Sequence, residues 1–173
     1  VQLTFSSWAL ENITRRGFKN PRKWNLHVPA IAPTSEIAVP YNKMRWSNIH
    51  GTIRLNEFST VFFIGGHMQW RKGISAAIAA YKYAYAGRSD VLLWVHGRLT
   101  SWGKEDWLKD MSLTTVDSPP MMWTNYTMLD KELYNILSQT TYVSCHHTEG
   151  FGYMPALNAA GLRKPIVSCQ NGP

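Results

Sequence analysis

The chain has 173 residues, 45% of them hydrophobic, enough for one domain whose core needs no metal or disulfide staple. Eighteen Lys and Arg against 11 Asp and Glu leave a net charge of +7, which favours phosphate-bearing ligands, nucleic acid or an anionic surface as partners. The two cysteines, Cys145 and Cys169, form no Cys-x-x-Cys pair, which argues against a zinc ribbon or a disulfide scaffold and for a reducing, cytoplasmic setting, and no apolar run approaches the roughly 18 residues that cross a bilayer.

Residues 1–58 have a texture of their own, with prolines at 21, 29, 33 and 40 and no sustained period. Their pattern predicts a helix over 8–17 followed by an extended lead-in. A basic cluster, Arg15, Arg16, Lys19, Arg22 and Lys23, lies here, and a solvated face is its ordinary reading. The sequons at Asn12 and Asn125 are taken as incidental. The chain begins at Val1 and ends at Asn171-Gly172-Pro173, a turn-forming tripeptide after an expected strand. A fragment of a longer protein, cut short at its C-terminal side, is therefore expected.

From Thr60 onward short apolar runs alternate with amphipathic ones, the pattern of βα units on a parallel sheet. Thr60 to Ile64 reads as a buried strand that leaves through Gly65-Gly66. Gly73 to Ala86 reads as a helix, with Ile74, Ala77, Ile78 and Tyr81 on one face. Val91 to Val95 is a second strand ending at His96-Gly97, followed by a charged helical stretch over 104–111. Met121 to Trp123, Thr140 to Cys145 and Pro165 to Cys169 complete five strands, with helices expected over 130–138 and 155–162. The fold class is thus α/β: a Rossmann-like parallel sheet with helices on both faces, occupying residues 59–173.

Two loops carry chemistry. The first runs from Gly65-Gly66 to Lys72-Gly73 and joins a flexible turn, a cation and a helix N-terminus, the elements of a phosphate site. It is neither a Walker loop nor the Gly-x-Gly-x-x-Gly dinucleotide fingerprint, and the plainer alternative is glycines that end a strand beside a solvated Lys72. The second is Cys145-His146-His147-Thr148-Glu149-Gly150-Phe151-Gly152, set between a strand and a helix. A carboxylate there can accept from sugar hydroxyls while the amides near Gly150 and Gly152 donate to phosphate oxygens. Its alternative is a charge interaction of Glu149 with the helix N-terminus. His146 and His147, adjacent on a strand, point to opposite faces and do not chelate one ion together, so no metal is expected.

From about residue 60 the chain resembles the C-terminal domain of retaining glycosyltransferases of the GT-B fold, in particular family GT4. Gly66-His67-Met68-Gln69-Trp70-Arg71-Lys72-Gly73 matches the family's Gly-Arg-x-x-x-x-Lys-Gly, with His67 in place of arginine, and Glu149-Gly150-Phe151-Gly152 matches its Glu-Gly-Phe-Gly. The family's second glutamate falls at Asn158, ahead of Lys164-Pro165-Ile166-Val167. The resemblance implies that Lys72 and His67 hold the diphosphate of a nucleotide diphosphate sugar. It further implies that Glu149 contacts the transferred sugar, Gly150, Phe151 and Gly152 approach the phosphates and Asn158 faces the ribose, with Gly65 and Gly66 at the turn. No separate cofactor is implied. Residues 1–58 would be the crossing from a missing N-terminal Rossmann-like domain that binds the acceptor, with the basic cluster near acceptor or peripheral membrane contacts. Two rivals stand beside this reading: a non-catalytic Rossmann-like module that binds a glycan, nucleotide or protein, suggested by His67 and Asn158, and a nucleic-acid binder, which lacks a recognised motif.

Overall fold

A computed structural model of the protein describes residues 2–4, 11, 14–17, 21–23, 45–48, 51–66, 72–97, 115–144 and 154–168. Within the first 58 residues, β1 (Gln2–Thr4) pairs in parallel with β2 (Pro21–Lys23), and β3 (Arg45–Asn48) pairs antiparallel with β4 (Gly51–Arg54). The expected extended lead-in is therefore partly paired. Strands of three or four residues carry no periodicity to read, and what makes them is backbone hydrogen bonding to a partner elsewhere. Glu11, Thr14 and Arg15 are helical, with Glu11 and Arg15 forming an exposed i,i+4 ion pair. Gly17, at φ 79°, donates its N–H to the Thr14 carbonyl at 3.0 Å, so this turn ends on a left-handed glycine as helices commonly do.

The larger unit is a five-stranded, wholly parallel sheet: β5 (Thr60–Gly65), β6 (Val91–His96), β7 (Met121–Thr124), β8 (Thr141–Ser144) and β9 (Ile166–Ser168), in the order β7-β6-β5-β8-β9. Three helices are described with it: α1 (Ile74–Ala84), α2 (Asp130–Leu137) and α3 (Met154–Gly161). Each expected element of this region is present within one to two residues of its predicted ends, save the helical stretch over 104–111, which lies outside the described residues.

Alternation along the strands sorts the core into two layers. Ile64, Leu93, Val95 and Val143 pack with Ile74, Ala77, Ile78 and Tyr81 of α1 on one face. Phe63, Leu92, Trp94, Met122 and Tyr142 pack with Ile136 and Leu137 of α2 and Ala159 of α3 on the other. The sheet thus carries helices on both faces, which is why β5 and β6 read as unbroken apolar runs. The side assignment follows from chirality: β5-α1-β6 steps one way across the sheet and β8-α3-β9 the other, and right-handed crossovers in opposite directions put their helices on opposite faces.

Candidate functional site at the carboxyl end of the sheet

Chain order reverses between β5 and β8, which are neighbours in the sheet although β6 and β7 intervene in the sequence. In open parallel sheets the carboxyl ends of strands flanking such a reversal diverge into a crevice. A cavity of about 300 Å³ lies at that end, lined among others by Gly66 after β5, His96 closing β6, Tyr126 after β7, Leu133 of α2 and Pro155 of α3, at the small end of the range for ligand pockets.

The turn after β5 depends on glycine twice. A Cβ at Gly65 would stand 2.9 Å from Cε1 of the buried Phe63 ring, and Gly66 holds φ 144°, a region that side chains avoid. The Gly66 N–H donates to the His96 carbonyl at 3.0 Å, and the Gly97 N–H to the Thr124 carbonyl at 2.9 Å. These bonds tie the ends of β5, β6 and β7 together, so the amide of Gly66 serves the sheet edge while the residue itself lines the cavity.

Of the residues singled out in the sequence, Lys72 is buried at 8% exposure and interacts within the chain, which removes the solvated reading. Gly73 follows at φ 64° as the N-cap of α1, with no side-chain cap. Its carbonyl accepts from Ala77 at 3.0 Å, leaving the first-turn amides of α1 as an electropositive terminus. Asn158 is buried on α3 beside the fully buried Ala159. The cavity brings together Gly65, Gly66 and Pro155 but is not lined by Lys72 or Asn158. His67, Glu149, Gly150, Phe151 and Gly152 lie outside the described residues, as do His146 and His147. The elements that bracket the second loop are described: β8 ends at Ser144, beside β5, and α3 opens at Met154 with Pro155 in its first turn, where the missing N–H of proline is no loss.

The most organised polar group of the cavity is one that the motif reading passed over. His96 is 9% exposed, with Nδ1 2.6 Å from Thr124 Oγ1, which in turn accepts from Trp94 Nε1–H at 2.8 Å. Its ring lies near-parallel to Phe63 at 6.3 Å and edge-on to Tyr126 at 5.0 Å. Burial pushes the imidazole pKa down to about 4, with Glu132 opposing weakly, and pushes the Tyr126 phenol up to about 12. Both side chains are therefore neutral at pH 7, by the desolvation that disfavours any charged form. Glu132 has its own task, accepting the Leu129 N–H at 2.8 Å and so closing the start of α2. A histidine and glycine directly after the apolar run Val91-Leu92-Leu93-Trp94-Val95 was the available signal, since strand ends of this kind point at ligands.

A second cleft, about 370 Å³, sits at the amino ends of the strands, lined in part by Ser59, Ser138, Thr140 and Lys164. Three of its hydroxyls are engaged within the chain: Ser59 donates to Asp90, Ser138 to the Asn135 carbonyl and Thr140 to the Ile136 carbonyl. Among the described residues no three His, Cys, Asp or Glu are placed to hold a metal ion, and no helix is long and apolar enough to cross a membrane.

A Rossmann-like α/β domain with its crevice at the carboxyl end of a parallel sheet is the class defined here, and its fold is like that of GT-B glycosyltransferases. Among solved structures it is similar to a trehalose-6-phosphate synthase, with a TM-score of 0.65 at 10% identity over 88% of this chain and 37% of that one. It is also similar to a UDP-forming α,α-trehalose-phosphate synthase from Burkholderia xenovorans, with a TM-score of 0.52 at 11% identity over 68% of this chain and 31% of that one. The chain accordingly spans only 31% to 37% of the length of these enzymes. No protein-family model matches it, and no curated protein matches it by sequence.

Proposed function

We propose that the chain is the donor-binding domain of a retaining glycosyltransferase of the GT4 kind. In this reading it corresponds to the C-terminal Rossmann-like domain of a two-domain enzyme and binds a nucleotide diphosphate sugar. The observation that carries the reading is the cavity beside the β5/β8 reversal, whose walls include Gly66 and Pro155, the residues from which the two motif-bearing loops depart and arrive. The similar synthase whose name marks it as UDP-forming supports a nucleoside diphosphate as the leaving group.

The chemistry is glycosyl transfer with retention. The bond between the anomeric carbon and the β-phosphate oxygen breaks, its electron pair leaving with the diphosphate. The acceptor oxygen bonds to the same carbon, and its proton passes to the departing phosphate. Lys72 and the amino end of α1 stabilise the charge that builds on the diphosphate, a preorganised arrangement that needs no reorganisation in the transition state. Glu149 accepts hydrogen bonds from the sugar, Gly150 to Gly152 approach the phosphates, and Asn158, an amide in place of a carboxylate, faces the ribose with weaker, uncharged hydrogen bonds. The acceptor is a glycan, lipid or protein held chiefly by the partner domain, with the basic cluster of residues 15–23 near it or near a membrane surface.

Calorimetry with nucleotide diphosphate sugars tests the reading. Binding is expected, weakened about tenfold or more in both Lys72→Ala and Glu149→Ala, by the loss of one charge-assisted contact each. Unchanged affinity in both variants removes the assignment. The replacements His67 and Asn158 favour a second reading, a module that binds the donor without turning it over. Sugar transfer assayed across several nucleotide sugars separates the two.

A further inference from the structure

The buried His96 beside the cavity has no role in the chemistry above, yet it is joined through Thr124 to a second buried polar side chain, Trp94. Trp94 Nε1 is only ever a donor, so at 2.8 Å the Thr124 hydroxyl oxygen accepts from it. That hydroxyl has one hydrogen of its own, and His96 Nδ1 stands 2.6 Å away. Donated to Nδ1, that hydrogen leaves the neutral ring's own on Nε2; a ring protonated at Nδ1 would instead donate to the second lone pair of the Thr124 oxygen. Trp94, Thr124 and His96 are all buried, at 1%, 5% and 9% exposure, and the Phe63 and Tyr126 rings flank the imidazole. The orientation of the ring is held by these neighbours.

Among the described residues the cavity lining is largely apolar, with Phe63, Tyr126, Met128, Leu133 and Pro155 beside the histidine. A sugar ring presents hydroxyls around its rim and needs several polar partners. A planar heterocycle presents two apolar faces and an edge of donors and acceptors, which suits an aromatic and aliphatic wall with an imidazole beside it.

We propose that His96 is the specificity-determining residue of this cavity: its Nε2–H donates to the exocyclic carbonyl oxygen of a nucleobase, so the site accepts oxo-bearing bases and rejects those with an amino group at that position. The inference rests on the donor-site reading above and deepens it. A carbonyl accepts the Nε2 hydrogen, whereas an amino group turns a donor against a donor and leaves both unpaired in a buried place, the kind of mismatch that discriminates strongly.

Two pairs of ligands that exchange an oxo for an amino group, the adjoining ring nitrogen changing with it from donor to acceptor, test it by calorimetry: UDP against CDP, and inosine diphosphate against ADP. UDP and inosine diphosphate are each expected to bind about tenfold or more tightly than their amino counterparts. His96→Ala is expected to bring both ratios to about one, whereas His96→Gln, whose amide still donates, retains part of the preference. Equal affinities within both pairs for the unaltered protein, or ratios that survive in His96→Ala, overturn the proposal. Absence of binding by any nucleotide removes the donor-site reading and this one together, whereas binding without discrimination removes this one alone. Nitrogen-15 NMR of the unaltered protein reads the tautomer without any variant: the hydrogen is expected on Nε2 of His96, and a hydrogen on Nδ1 refutes the assignment.

Discussion

The two ends of the sheet are built from the same strands and treat their polar groups in opposite ways. At the amino end Arg88 grips Asp90 through two hydrogen bonds of 2.6 and 2.7 Å, and Ser59 donates to Asp90 by its hydroxyl at 2.6 Å. The Ser59 amide also donates to the Asp90 carbonyl at 2.7 Å, so the starts of β5 and β6 are laced by groups that satisfy one another. At the carboxyl end glycines tie the backbone, and Trp94, Thr124 and His96 form one hydrogen-bonded unit beside the cavity. Each end carries a cleft of a few hundred Å³, about 300 Å³ at the carboxyl end and about 370 Å³ at the amino end.

The contrast is broken most severely by Phe63→Ala. The ring is fully buried, packs edge-on against Trp94 at 5.4 Å and lies beneath His96, so its loss is expected to cost about 3–5 kcal/mol in denaturant unfolding. Donor affinity is expected to fall with it, since the cavity floor goes too.

Acid is expected to act next most strongly, and through the carboxyl end. The folded His96 pKa, about 4, lies below its ordinary value of 6.5, so between those values the unfolded chain binds more protons than the folded one. Stability is then complete above about pH 6.5 and is lost as pH falls toward 4, by about 1–3 kcal/mol. Thermal melts from pH 7 to 4.5 check this, and the slope is expected to shrink in His96→Gln.

The smallest effect belongs to the amino end. Hydrogen bonds from Arg88 and then Ser59 hold the Asp90 carboxyl well below the ordinary carboxylate range, so its contribution is present at neutral pH and is lost only as the pH falls below that range. The group is exposed to solvent, which screens it. Asp90→Asn is expected to lower the melting temperature slightly at pH 7 and to leave donor affinity unchanged. A large loss of affinity would mean that the two ends are coupled.

How legible this was depended on how locally each feature is encoded. β5 could be read because Val61, Phe62, Phe63 and Ile64 are apolar on both faces and Gly65-Gly66 marks the exit. α1 could be read because Ile74, Ala77, Ile78 and Tyr81 recur at helical spacing, and all four are buried. The pairing of β1 with β2 could not, because Gln2 and Pro21 meet through backbone groups that no side-chain pattern announces. Lys72 was recognisable as a cation before a helix, but its burial was not, since burial depends on what packs above it. His96 could be seen at a strand end, whereas its hydrogen-bond partner, Thr124, lies 28 residues further along.

By itself, then, the sequence determined the class of the fold and the places where a ligand could bind. Hydrophobic periodicity and glycine positions are local properties, and they suffice for strands, helices and loop ends. Only the tertiary structure decided the order β7-β6-β5-β8-β9, and with it which strand ends meet at the crevice. It alone bound His96 to Thr124 and Trp94 as one hydrogen-bonded unit. The reason is physical: neighbours across a parallel sheet are joined by crossovers rather than by adjacency, and the donor and acceptor roles of a buried side chain are set by whatever group arrives opposite it.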